Sequence, residues 1–514
     1  HQALGVPMVP FTLFELLTRI LPGAVVTTGL EAMIGVLQSL GVASTSAAGK
    51  TVEGAMAVGL VVVGLTALGA AYGWTQEGPE DSFSAWTLGL ALSATVGVLM
   101  WWAGWGSQGA VAGLLWALLL GVGWALVLER IYEEAAQAGR EDAARTRRGF
   151  LARVGVGSLT LGLIGLGLGS MFGRDQPSIQ PRTAFPDVPT PTPPADEPGF
   201  EAVAGTRPEL SPMPDFYRVD INLRPPQASA VSGAMREEAR LLVEEAGVDP
   251  VDTPFPLAVR GLVEQPRIVS LDEIRALPTV DQFATLECIS NTVGGDLIDT
   301  TVFTGARLSD VLGLAGVREE AQDIKFTCAD GYTESLPMDS VMDPRTLLCY
   351  AMGGQPLSEE HGFPLRLYTP NRFGMKNPKW IVLLEMVGED YRGYWEQRGW
   401  DEQAFVKLTS VIDTVEPVER GVVDAGGIAF AGAKGAAGVE VRVNGGEWVP
   451  AELNRPISPL TWVQWRVRLE AEPGRRFLEV RMIDLDGNVQ TATPSDTFPD
   501  GATGYHGRTG TFPG

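Results

Sequence analysis

The hydrophobic pattern splits this chain in two. Nearly all its long apolar runs lie before about residue 175, and beyond that point apolar and polar positions recur at helix and strand periods. Five runs reach the roughly 20 residues that a bilayer crossing takes. They lie near 22–42, 52–74, 84–105, 108–130 and 150–172 and predict a transmembrane helical bundle over 1–173. Ahead of them, "FTLFELLTRI" carries Glu15 and Arg19 and suits the membrane interface. The third run ends in "WWAGWG", which sets Trp101, Trp102 and Trp105 where an aromatic belt belongs. In the fifth run, Gly155, Gly157, Gly165 and Gly169 suit close packing between helices.

Residues 174–214 read as a Pro-rich, extended linker, "RTAFPDVPTPTPPADEPGF". From 215 to 410 the pattern is mixed. Helical stretches ("GAMREEARLLVEEAG", "SLDEIRAL", "RLSDVLGLAG") alternate with strand-like runs ("PLAVRGLV", "DIKFTC", "PLRLYT", "WIVLLEMV"). Over 411–514 the period changes to two. "VEVRVNGGEWVPAEL" alternates around Asn444-Gly445, a strong short-range hairpin signal, and "TWVQWRVRL" and "FLEVRMIDL" continue it. Short strands with regular turns predict a β-sandwich, and Asp484 to Asn488 read as a hairpin turn. The expected fold class is therefore multidomain: a helical bundle, a mixed α+β domain and a β-sandwich.

Charge and cysteine content narrow the partners. The net charge is -23, most of it after residue 174, which argues against nucleic acid. Three cysteines exclude a disulfide-stapled scaffold. Cys328 and Cys349 read as core positions, a disulfide between them being the alternative outside the cytoplasm. "REDAARTRRGFLAR" holds Arg140, Arg145, Arg147, Arg148 and Arg153, and the positive-inside rule puts this loop in the cytoplasm. The chain after the fifth run is then extracytoplasmic and the N-terminus cytoplasmic. Thr146 to Leu151, "TRRGFL", resembles a twin-arginine export signal in an internal position, and an ordinary cytoplasmic anchor is the alternative. Either way, the expectation is a multi-pass protein of the cell membrane with its soluble part outside.

Histidine occurs three times, never within an expected span, so the bundle lacks the paired histidines of a membrane haem. His361 to Trp380, "HGFPLRLYTPNRFGMKNPKW", carries Arg366, Arg372, Lys376 and Lys379, and no acid occurs from His361 until Glu385. Such a segment reads as an anion site, suited to a phosphate, or as a solvated loop. Cys288, in "TLECISNTVGGDLI", reads alone either as a small core residue or as a thiolate for a soft metal.

Taken together, "FYRVDINLRPP", "TLECISNTVGG", "FTGARLSDVLGLAGV" and the run from Asp330 to Ile381 resemble the sulfite oxidase family of molybdopterin enzymes, in order and in spacing. The resemblance covers roughly 215–410, and 411–514 is similar to that family's immunoglobulin-like domain. It implies a molybdenum–molybdopterin cofactor with Cys288 as the metal's thiolate ligand. Tyr332 matches a catalytic tyrosine near the metal. His361, Arg366, Lys376, Asn377 and Lys379 match residues that hold the pterin and its phosphate. Tyr217, Arg218 and Asn222 match a segment that closes over the cofactor.

Two positions depart from the sulfite-oxidising pattern. An arginine expected shortly after the metal cysteine is replaced by Ser290-Asn291-Thr292-Val293, and one expected upstream by Asp220-Ile221. A sulfite pocket needs positive charge, so the reductase-like branch is the expectation: oxygen-atom transfer on a sulfur-oxo compound such as a sulfoxide. Electrons would pass to or from a cytochrome-like protein or a quinone, and the sandwich is the surface through which a homodimer would form. The alternatives are sulfite dehydrogenase-type oxidation and a non-catalytic docking subunit of a membrane complex.

Overall fold

The computed structural model describes residues 52, 56, 57, 59, 61–71, 84–102, 118, 121–130, 154, 199–222 and 225–514. The chain forms two compact units, His1–Leu21 with Ala48–Ser178 and Pro22–Ala47 with Ile179–Gly514.

In the first unit, helix α1 (Ala85–Trp102) meets the helical segment 121–130 through small residues. A Cβ at Gly121 would fall 2.3 Å from Gly89 O, and one at Gly89 would fall 2.5 Å from Gly121 O, so the two backbones can approach only because both positions are glycine. Ala85, Trp124, Leu128 and Val154 are buried there, and Trp86 Nε1 donates to Glu129 at 2.9 Å. Among the described residues no helix is long and apolar enough to cross a membrane. The expected run near 22–42, nearly all of 150–172, the arginine loop and its twin-arginine motif lie outside the described residues. The runs near 52–74 and 108–130 are described in part.

In the second unit, the described end of the expected linker is packed. Arg207 pairs with Asp413 at 3.1 Å and Ser211 N–H donates to Thr300 O at 2.8 Å. Helix α2 (Ala228–Ala246) buries Val231, Met235 and Leu242 at helical spacing and stops where Gly247 turns left-handed, φ 64°. Strands β1 (Leu257–Gly261) and β2 (Arg267–Val269) follow, then helix α3 (Leu271–Ala276), started by a capping box between Ser270 and Glu273. The chain continues through β3 (Thr279–Glu287), β4 (Ile298–Arg307), β5 (Asp323–Cys328), β6 (Thr333–Pro337), β7 (Leu347–Met352), β8 (Gln355–Pro356), β9 (Arg366–Tyr368) and β10 (Ile381–Val387). These make two sheets, β2-β1-β10-β5-β6 and β3-β4-β7-β8, with β9 beside β7. Only the β1–β10 pair is parallel in the first sheet. Cys328 on β5 and Cys349 on β7 belong to different sheets and are free buried thiols, so the alternative of a disulfide between them is corrected.

The remaining strands are β11 (Thr409–Glu419), β12 (Val422–Phe430), β13 (Ala436–Val443), β14 (Val449–Pro450), β15 (Glu452–Leu453), β16 (Val463–Glu470), β17 (Gly474–Asp484) and β18 (His506–Phe512). They form two four-stranded sheets, β11-β12-β16-β15 and β14-β13-β17-β18, which share a core that includes Val423, Val441, Trp465 and Val480. Asn444 and Gly445 both take positive φ, 49° and 70°, and turn β13 back toward β14. Asp484 accepts from Asn488 N at 2.7 Å and closes the turn read at Asp484 to Asn488.

Candidate active site

β3 runs fully buried toward its end and delivers Cys288 just past its last residue, where the Cys288 N–H donates to Leu297 O at 2.9 Å. Asn291 closes the following loop: its amide donates to Glu287 at 3.0 Å and its carbonyl accepts from Leu297 N at 3.0 Å. A neutral amide thus occupies the neighbourhood where an arginine was expected. The Cys288 Sγ lies 3.0 Å from Ser290 Oγ, and burial pushes the thiol's pKa up. Gly374 lies against this corner, because a Cβ there would be 2.8 Å from Tyr217 Oη and 3.4 Å from Glu287 O.

Cys288 opens on a cavity. One part of its wall is polar: Tyr217, Asp220, Asp330, His361, Arg366 and Lys379. Tyr217 is placed through Asp299 near the start of β4, which accepts from Tyr217 N at 2.7 Å and from Ser211 Oγ at 2.5 Å. Phe216 meets the His361 ring edge-on at 5.6 Å. Burial, with Arg366 and Lys379 nearby, lowers His361 to about 3, so this imidazole is neutral. Arg366 donates to His361 O at 3.3 Å, and among the described residues no carboxylate pairs with it. Asp220 pairs with both Arg218 and Lys379. The acid that offsets the basic run therefore comes from another part of the chain, and the run is less cationic than its own sequence implies. Burial and the Asp220 charge raise Asp330 from 3.8 to about 7.

A second part of the wall is apolar and includes Ile221, Ile289, Met375, Trp395 and Trp400. Ile289, Phe373, Met375, Trp400 and Ala404 pack as one cluster, with Trp395 against it. Tyr332 also lines the cavity, but its hydroxyl is engaged with Glu334 Oε2 at 2.6 Å and Met375 O at 2.8 Å.

The structure therefore sorts the expected site residues. Cys288, Tyr217, Tyr332, His361, Arg366, Asn377 and Lys379 all line the cavity. Asn377 spends its amide on its own loop, accepting from Thr369 N at 2.7 Å and donating to Phe373 O at 3.1 Å. Arg218, Asn222 and Lys376 stand outside the described wall. Arg218 holds Asp220 and lies 3.5 Å from Glu360, and Asn222 donates to Asp330 O at 3.3 Å. Lys376 turns into the core, 3.0 Å from Glu334 and paired with Glu396. Asp330, Trp395 and Trp400 also line the cavity and were not singled out in the sequence, nor was Glu334, which holds the Tyr332 hydroxyl. The aromatic density of "YWEQRGW" was the one available signal.

The wall has a test for a bound group built into it. Tyr217 Oη, Arg366 Nε and Trp400 Nε1 are buried without a hydrogen-bond partner. Unmet buried donors are costly, and all three residues line the cavity, so the wall fits a group that brings acceptors and negative charge. A thiol beside them supplies a soft metal ligand.

Comparison with known proteins agrees with that donor set. The oxidoreductase molybdopterin binding domain family matches residues 246–395. The chain is 34% identical over 160 residues to the "Uncharacterized oxidoreductase YuiH" of Bacillus subtilis, covering 30% of this chain and 79% of that protein. It is 36% identical over 147 residues to the "Putative protein-methionine-sulfoxide reductase subunit YedZ1" of Azospira oryzae, covering 29% of this chain and 54% of that subunit. With the sulfite oxidase of Arabidopsis thaliana it shares 27% identity over 286 residues, which is 45% of this chain and 73% of the plant protein.

Proposed function

This chain belongs to the sulfite oxidase family of molybdopterin-binding oxidoreductases, and on that premise we propose that it reduces a sulfur-oxo compound such as a sulfoxide. The observation that carries the reading is the charge of the cavity. Asp220 holds Arg218 and Lys379, and Asn291 stands near Cys288 where a cation was expected. A dianion such as sulfite finds little unpaired positive charge there, whereas a neutral sulfoxide needs none. The name of the Azospira oryzae subunit points the same way.

The cofactor is molybdopterin. When bound, its molybdenum supplies two-electron oxygen-atom transfer. Cys288 would hold the metal through its thiolate. Tyr217 Oη and Arg366 Nε, with neutral His361 beside them, would meet the pterin's acceptors. Met375, Trp395 and Trp400 would hold the substrate's apolar groups and keep water away. The reaction takes two electrons and two protons, breaks the S–O bond and leaves a thioether and water.

Membrane anchoring with an extracytoplasmic catalytic domain is part of the proposal. It is supported by the five apolar runs, by the arginine loop, and by Leu90 and Val98, exposed apolar residues of α1. The redox partner would then be a cytochrome-like protein or a quinone, and the sandwich a surface for dimerisation. A panel of sulfoxides, N-oxides and sulfite, followed with artificial electron carriers, tests the direction. Sulfoxide reduction outpacing sulfite oxidation is expected, and rapid sulfite oxidation would overturn the reading.

A further inference from the structure

We infer that the indole N–H of Trp400 is the hydrogen-bond donor that receives the substrate's oxygen, and that it selects an uncharged sulfoxide with apolar substituents. The inference rests on the sulfoxide reading above and adds the residue that recognises the S=O group.

Three observations lead to Trp400. Its Nε1 is buried without a partner, although the ring lines the cavity. Of the three unmet donors, Tyr217 Oη and Arg366 Nε belong to the polar wall around His361. Trp400 alone belongs to the apolar wall, packed in one cluster with Ile289, the residue next to Cys288. The donor expected at this place, the Tyr332 hydroxyl, is already committed to Glu334 and Met375 O.

The surroundings fix what can bind. The Trp400 ring is held edge-on by Phe498, at 5.3 Å and 81°, and by Trp395, at 6.3 Å and 75°, so the ring is oriented before a ligand arrives. The nearby cations are turned to other work. Arg398 lies 3.5 Å over the Tyr394 ring, and Arg372 lies 4.0 Å over Phe405. A neutral donor among aromatic and thioether side chains donates to one oxygen with apolar groups on either side. Once the oxygen is gone, the thioether has no acceptor for the indole, and the unmet donor favours release of product. The indole keeps its proton throughout. It orients the oxygen and transfers nothing.

The test is equilibrium binding to the oxidised, molybdenum-loaded full chain without an electron donor, so that no turnover occurs. Methyl phenyl sulfoxide and methyl phenyl sulfide are titrated calorimetrically into wild type and Trp400→Phe. The sulfoxide should bind wild type more tightly, and the variant should lose about 3- to 10-fold of sulfoxide affinity with sulfide affinity unchanged. Equal sulfoxide affinity in the two proteins overturns the assignment. Should Trp400→Phe fail to load metal, wild type decides alone, because equal affinity for sulfoxide and sulfide also overturns it. Failure of the broader reading looks different: wild type would bind sulfite tightly and neither sulfur ligand.

Discussion

Lys376 holds two carboxylates inside the protein, Glu334 and Glu396, with the three side chains 0–2% exposed. Removing one member of such a set strands charge where water cannot reach it. Lys376→Met should therefore cost about 3–5 kcal/mol by denaturant unfolding, and a loss below about 1 kcal/mol would refute the buried pairing. Asp330 makes a different prediction. Its folded pKa, about 7, lies above its ordinary 3.8, so the fold favours the neutral acid. That stability is fully present below about pH 4 and lost as pH rises through 7, on the order of 4 kcal/mol in all. Asp330→Asn should flatten the decline of unfolding free energy between those limits, and an unchanged pH profile would rule out this carboxyl as its source. Cys288→Ala should abolish turnover while leaving the unfolding midpoint within a few degrees of wild type, since one small buried thiol is removed. At this scale the sequence was legible where a residue's role depends on its own segment. Cys288, His361 and Arg366 do line the cavity. It did not show that Lys376, Arg218 and Lys379 are paired, because their acid partners, Glu334, Glu396 and Asp220, are set by tertiary packing or a bend of the chain.

Local signals decided the elements. Ser270 and Glu273 start α3 through reciprocal bonds: the Ser270 side chain accepts from Glu273 N at 3.2 Å and Glu273 accepts from Ser270 N at 2.8 Å. Ser270→Ala should lower stability by about 1 kcal/mol. Gly445 sits at φ 70°, so Gly445→Val should cost about 1–3 kcal/mol through backbone strain and leave turnover unchanged, since the turn is remote from the cavity wall. Thermal unfolding and an activity assay check both variants. The strands that carry the site were harder to read. β3 and β4 hold five and eight buried residues respectively in mostly continuous runs, so neither shows the alternation that marks a half-exposed strand. The Asn444-Gly445 hairpin was legible because a turn type needing two positive φ values leaves few residue choices.

For the whole molecule, hydropathy separated the apolar first third from the rest, and the change of period marked where the β-sandwich begins. What hydropathy could not supply is the cavity, which is assembled from residues 216–221, 286–290, 330–332, 361–380 and 395–400. Segments that distant in the chain meet only once both sheets have formed, so their shared chemistry is invisible to any local pattern. The net charge of -23 proved a poor guide to the site for the same reason. The wall pairs Lys379 with Asp220, and among the described residues no carboxylate pairs with its buried arginine, Arg366. Cys288 as the metal's protein ligand is the claim on which the rest depends. X-ray absorption at the molybdenum edge tests it most directly, comparing loaded wild type with loaded Cys288→Ala. Wild type should show about one more sulfur neighbour at the metal than the variant. An identical sulfur count in the two proteins would contradict the assignment.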